Sequence, residues 1–276
     1  MLDTHIHSSD FSPDGSDAME AMILTAIDRG VVFIALTDHL DLLQDGSPPK
    51  QMADLKAYRN RLTDMQKKYR GKIEIAAGLE AGFVQKNALK MNELIGGLNF
   101  DFIINSVHEA DNIDCYYREF YAERKKFETY STYFEAVLRS LDAPYPFHAV
   151  GHLGYVERTA PYADKIAHYR EFSEVLDAIL KKIVSAGKIL ELNTNVYNDP
   201  KIPWLPNDEI LRRYRTLGGT RITFGSDAHQ TVRIGDKYQA ACDYLKSLGF
   251  EGLTVTAGGK ERFMPFGSRT FVASVP

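Results

Sequence analysis

Seven short apolar runs recur along the chain with amphipathic stretches between them. They lie at residues 2–7, 31–37, 72–78, 100–107, 147–152, 188–193 and 221–225. Each is near-continuously apolar rather than alternating, the pattern of strands buried on both faces of a parallel sheet. The stretches between them carry helical periodicity. Within 170–186, Phe172, Val175, Leu176, Ile179, Leu180, Ile183 and Val184 form an i, i+3, i+4, i+7 stripe that stops at Gly187. Residues 17–29, with Ser16 as N-cap and Gly30 beyond, read the same way, as do 50–70, 206–217 and 235–248. Strand and helix alternating seven times predict parallel βαβ units of an α/β barrel. No Gly/Ser/Pro-rich linker divides the chain, so residues 1–276 read as one domain. Two stretches break the rhythm: a Gly/Pro loop at 41–49 and a Tyr-rich insertion at 111–141. Both are expected to shape the barrel mouth.

Composition narrows the setting. With 276 residues, 44% of them hydrophobic, the chain needs no staple to fold. Thirty-three Lys+Arg against 37 Asp+Glu give a net charge of −4, unsuited to binding nucleic acid through general electrostatics. Two cysteines, Cys115 and Cys242, exclude a disulfide scaffold or a Cys-rich zinc module. No apolar run approaches the roughly 18–20 residues of a membrane span, and the first residues do not read as a signal peptide. A cytoplasmic protein with reduced thiols is expected, with no membrane and no obligate protein partner.

The chemistry collects at one end of these strands. His5 and His7 close the first run, and Asp38 and His39 follow the second. Glu80 follows the third, His108 the fourth; His152 and Glu191 end the fifth and sixth; Asp227 and His229 follow the seventh. Six of the eight histidines thus fall at strand C-terminal ends, which in a parallel barrel converge on one mouth. Two residues apart on a strand, His5 and His7 point to one face; Asp227 and His229 repeat the spacing. Imidazole with carboxylate suits Zn, Mn or Fe as divalent ions. These ligand candidates exceed the needs of one ion, so two to three are implied. Paired ions are a common device for phosphate ester hydrolysis.

Asp3-Thr4-His5-Ile6-His7-Ser8, Thr37-Asp38-His39, Gly78-Leu79-Glu80, Ser106-Val107-His108, Gly151-His152 and Gly225-Ser226-Asp227-Ala228-His229 resemble, in order, the motifs of the PHP (polymerase and histidinol phosphatase) family. The resemblance implies a distorted seven-stranded (β/α)7 TIM-like barrel with a trinuclear metal centre. A free-standing chain of this length, with Val107-His108-Glu109 after the fourth strand, most resembles the branch that hydrolyses L-histidinol phosphate in histidine biosynthesis. A PHP-type enzyme acting on a nucleotide phosphate or phosphodiester is the alternative. Carried over, the resemblance places His5, His7, Glu80 and Asp227 on a first ion. Glu80, as a bridge, with His108 and His152 would hold a second, and His39 with His229 a third. Family members often supply a further His where Pro13 stands here; Asp14 is the candidate replacement. A small phosphate monoester is the implied substrate. Arg158 and Arg233, in loops above the fifth and seventh strands, would bind its phosphate, and Glu109 would face a cationic amine. Asp227 or His229 would carry the proton to the leaving alkoxide.

Plainer roles are expected elsewhere. Asp3 and Asp38 should orient ligating imidazoles. Glu191 reads equally as support for the centre or as strand termination. His148 should be structural, and His168, set in a helix, a surface residue. Cys115 and Cys242 look inert.

Overall fold

The computed structural model describes residues 1–196 and 200–273, and every predicted strand is present among them. The strands are β1 (Leu2–Ile6), β2 (Phe33–Leu36), β3 (His39–Asp41), β4 (Glu74–Gly82), β5 (Phe102–Ser106), β6 (Glu109–Ala110), β7 (Ile113–Asp114), β8 (Ala149–Val150), β9 (Ile189–Asn193), β10 (Ile222–Gly225), β11 (Gly252–Ala257), β12 (Lys260–Pro265) and β13 (Val272–Ala273). The helices are α1 (Met19–Asp28), α2 (Leu55–Lys68), α3 (Ala88–Ile95), α4 (Lys126–Ser140), α5 (Ser173–Ser185), α6 (Asp208–Thr216) and α7 (Tyr238–Ser247).

Seven strands pair in the parallel order β1-β2-β4-β5-β8-β9-β10, and β3 adds to the upper half of β4. The ends nearly close into a barrel. Ile6 bridges Ala228, the His7 amide donates to the Ala228 carbonyl (2.9 Å), and Thr4 Oγ1 donates to the Phe224 carbonyl (2.9 Å). One apolar core runs between the strands and the surrounding helices, with Phe33, Phe102 and Phe224 fully buried in it. No described helix is long and apolar enough to cross a membrane.

Local corrections to the sequence reading have physical causes. Ser16 does not cap α1: the helix starts at Met19 with Ala18 in the N-cap position, and Asp10 Oδ2 accepts the Met19 amide (2.9 Å). Residues 111–141 are only partly a mouth insertion. They contain α4, the regular crossover helix of its βα unit, and its Tyr130, Tyr133 and Phe134 are core residues. The Tyr133 hydroxyl also accepts the amides of Gly154 (3.3 Å) and Tyr155 (3.2 Å), bracing the loop above β8. His168 stands just ahead of a short 3-10 turn rather than within a helix, paired with Glu209 and Asp164.

The C-terminal segment forms an antiparallel sheet, β11-β12-β13, under the barrel. Thr256 Oγ1 donates to the Asp101 carbonyl (2.7 Å), Arg262 pairs with Glu74, and Phe271 meets Phe33 edge-on (5.5 Å). These partners lie at strand N-terminal ends. The floor is thereby covered and the opposite mouth left open.

Candidate metal centre

Each ligand candidate reaches the mouth by a local device. His5 on β1 and His7 just beyond it both point into the barrel, ring centroids 4.9 Å apart, and both are fully buried. Glu80 lies within β4, which runs four residues past the end of its apolar run, where β3 pairs alongside it. His108 follows β5. His152 turns out of β8 with a φ of 21°. Asp227 and His229 do not follow strand alternation. Asp227 sits in the left-handed region (φ 52°), a conformation tolerated by Asp, and that turn aims both side chains inward.

The atoms form three overlapping clusters, joined by His39, whose Nδ1 lies 2.8 Å from Glu80 Oε2. His5 Nε2 and His7 Nε2 lie 3.2 and 3.6 Å from Glu80 Oε2, and 3.9 and 3.2 Å from Asp227 Oδ1. Ligands about 2.0–2.1 Å from a tetrahedral ion stand about 3.3 Å apart, so this quartet fits one ion. On the other side of the same carboxylate, Glu80 Oε1 is 3.2 Å from His108 Nε2 and 2.9 Å from His152 Nε2, with 3.2 Å between the two nitrogens. Farther out, Asp14 Oδ2 lies 2.9 Å from His229 Nε2 and 3.5 Å from His39 Nε2. His5 Nε2, His7 Nε2 and Glu80 Oε2 are buried and make no hydrogen bond among the described residues. Three such atoms aimed at one point fit a cation. The donor set of imidazoles and carboxylates without sulfur fits a divalent transition metal.

Neighbouring charges shift the titration of these groups. Burial alone would lower the His5 pKa, but Glu191, Glu80 and Asp227 hold it well above the usual value. His108 is pushed up to about 10, as Asp41 and Glu80 outweigh burial. Burial, together with His39 and His229, keeps His7 well below the ordinary range and neutral, the form that ligates. Burial would raise Glu80, yet His5, His108 and His39 hold it well down. Ion uptake must expel these protons, so affinity rises with pH.

The supporting contacts differ in part from the sequence reading. Among the described residues Asp3 bonds no imidazole ring; it accepts the backbone amide of His5 (3.4 Å) and staples the β1–β10 seam by accepting the amides of Ser226 (2.9 Å) and Gly235 (2.8 Å). Asp38 reaches His7 only through Ser12, whose hydroxyl donates to Asp38 (2.8 Å) and lies 3.4 Å from His7 Nδ1. Arg158, 8% exposed, directs Nη2 to Asp227 Oδ2 (2.7 Å) and Asn193 Oδ1 (2.8 Å), so it braces the Asp227 carboxylate. Arg233 pairs with Asp236 (2.7 Å), and none of its described contacts reaches the cluster. His148 Nδ1 accepts the Ile103 amide (2.9 Å), a structural role. Sequence reasoning missed Asp41. Its Oδ1 accepts His108 Nδ1–H (2.8 Å), fixing that ring. The signal was present: Asp41 is two residues from His39 on β3, on the same face. Gly82 stands opposite because a Cβ there would overlap the Asp41 carboxylate.

The Asp14 placement gives a direct test. It is 54% exposed yet turned to both outer imidazoles, which hold its carboxyl well below the usual range despite partial burial. Asp14→Asn should cost about one ion per chain and most of the activity, with the Tm of the metal-free protein nearly unchanged. Elemental analysis and melting curves check it.

A nearly closed parallel barrel with this cluster at its mouth defines a metal-binding (β/α) barrel protein. Residues 3–195 match the PHP domain. The chain is 34% identical over 260 residues to the histidinol-phosphatase of Lactococcus lactis, covering 94% of this chain and 95% of that one. It is 29% identical over 245 residues to a probable histidinol-phosphatase of Clostridium acetobutylicum, covering 87% and 91%. The crystal structure of the Lactococcus lactis histidinol phosphate phosphatase, complexed with Zn, L-histidinol and phosphate, superposes with a TM-score of 0.82 at 32% identity, covering 94% of this chain and 98% of that one. The chain belongs to the PHP family.

Proposed function

We propose that this chain is a metal-dependent phosphatase that hydrolyses L-histidinol phosphate to L-histidinol and inorganic phosphate, a step of histidine biosynthesis, and that residues 1–276 act as one domain. The observation that carries the reading is Glu80, which turns one oxygen to each of two ligand clusters. Full-length similarity to histidinol-phosphatases supports the substrate. We assign His5, His7, Glu80 and Asp227 to a first Zn, Mn or Fe ion; Glu80, His108 and His152 to a second; Asp14, His39 and His229 to a third. When bound, such ions supply the charge neutralisation and Lewis acidity that phosphate ester hydrolysis needs.

The protein's own residues do the rest. Arg158 stands at the mouth beside Asp227, placed to add charge at the phosphate. Arg233, tied to Asp236, is assigned to the rim, where phosphate would have to draw it away. Glu109 follows His108 and carries a buried Oε1 with no hydrogen bond among the described residues; we assign it to the substrate amine. We assign Asp227 to pass the proton released by the attacking water on to the leaving alkoxide; His229, with Nδ1–H held by the Asp227 carbonyl (3.0 Å) and Nε2 assigned to the third ion, positions it.

Kinetics on a panel of esters tests the reading. Metal-replete protein should favour L-histidinol phosphate over nucleoside monophosphates, sugar phosphates and diesters by about 100-fold or more in kcat/KM, since buried polar groups left unpaired penalise the wrong substrate. An equal rate on a nucleotide or a diester overturns it in favour of that substrate.

A further inference from the structure

Glu191 is fully buried on β9, behind the cluster rather than in it. Both of its oxygens are engaged at short range. Oε1 lies 2.6 Å from His5 Nδ1, and Oε2 accepts the backbone amide of His152 at 2.6 Å. In front, the same two residues face Glu80: His5 Nε2 lies 3.2 Å from Oε2 and His152 Nε2 lies 2.9 Å from Oε1. The two carboxylates therefore clamp one ligand of each inner cluster from opposite sides. The neighbouring strand makes room for this. A Cβ at Gly225 would overlap Glu191 Oε1 and lie 2.7 Å from His5 Cβ.

A carboxylate only accepts hydrogen bonds. A ligating His5 keeps a single proton, and Glu191 requires it on Nδ1, which would leave the Nε2 lone pair to an ion between Glu80 and Asp227. The His152 amide has no such choice, because a backbone N–H always donates. We propose that Glu191 is a positioning residue that selects the ligating tautomer of His5 and anchors the strained turn at His152, so that one side chain sets both inner ion sites. This rests on the metal-centre reading above.

The amide of glutamine makes the two roles separable. In Glu191→Gln the single oxygen must face the His152 amide, which cannot change its proton. The NH2 then faces His5 Nδ1, which can meet it only as an acceptor. The His5 proton moves to Nε2, and that nitrogen no longer ligates. The variant should weaken zinc at the His5–His7 cluster by about 10–100-fold while the His108–His152 site holds.

Zinc titration of the whole protein against a competing chelator, with nitrogen-15 spectra of labelled histidines in the zinc-loaded state, reads this without any activity assay. Wild type should show His5 with Nδ1–H and a metal-bound Nε2. Glu191→Gln should show one weakened site and a His5 signal with Nε2–H. Unchanged zinc affinities, or all sites weakened alike with His5 still Nδ1–H, would overturn the proposal. If the variant does not fold, the wild-type spectrum decides alone: His5 bound through Nδ1 refutes the assignment. Wild type that takes up no zinc removes the metal-centre reading itself, and the proposal with it.

Discussion

Replacing Glu80 with Gln removes one to two bound ions per chain and lowers kcat/KM by about a thousandfold or more. The size of the loss follows from where the two oxygens point. Oε2 faces His5, His7 and His39, and Oε1 faces His108 and His152. An amide offers one oxygen, so one cluster faces an NH2 group that cannot ligate. Ser106 Oγ donates to Oε1 (2.6 Å) and favours keeping the oxygen on that side, so the His5–His7 cluster should empty first. Each ion is worth several kcal/mol of transition-state charge stabilisation, and each 1.36 kcal/mol is tenfold in rate, which sets the thousandfold scale. Elemental analysis with steady-state kinetics checks it. Normal ion content with a loss under tenfold would mean that Glu80 is not shared between two ions.

Much of the barrel was legible because a parallel sheet covered on both faces leaves continuous apolar runs, and all seven appear as strands within a few residues. The ends were less legible, for stated reasons. β8 shrinks to Ala149–Val150 because His152 must leave the strand to face Glu80. β4 extends through Gly82 because β3, invisible as a three-residue segment inside a polar stretch, pairs with it. The C-terminal sheet was not expected: Leu253-Thr254-Val255-Thr256 alternates as a strand does, but its antiparallel pairing with β12 falls outside the βα repeat from which the barrel was read.

The convergence of the ligand candidates was legible for a different reason. Strand C-terminal ends meet at one place in any parallel barrel, so position along the chain predicts position in space. Support of those ligands does not follow from chain position. Asp41 looked like the first residue of a loop, yet it orients His108. Asp3 looked like part of a ligand motif, yet it closes the barrel seam. Which carboxylate meets which ring depends on register and rotamer, and one sequence does not encode those visibly.

Arg158 shows the same limit and carries the second large expectation. Its place above the fifth strand suggested a phosphate ligand, for which Arg158→Met would leave ion content normal. The structure adds a buried pair with Asp227 at 2.7 Å, with both side chains nearly excluded from water. Breaking such a pair leaves a carboxylate without its partner and costs about 3–5 kcal/mol. The remaining imidazoles around Asp227, with His7 Nε2 at 3.2 Å, place the loss at the lower end. Arg158→Met should therefore lower the stability of the metal-free protein by about 3 kcal/mol in denaturant titration, and added zinc should recover part of it because an ion compensates Asp227. In the zinc-loaded enzyme kcat/KM should fall by about 2–3 kcal/mol, the scale of a lost charge-assisted hydrogen bond to phosphate. The two readouts separate the roles. Loss of rate with wild-type stability would leave Arg158 to the phosphate alone, and loss of stability with unchanged kcat/KM would make it a brace for Asp227 alone.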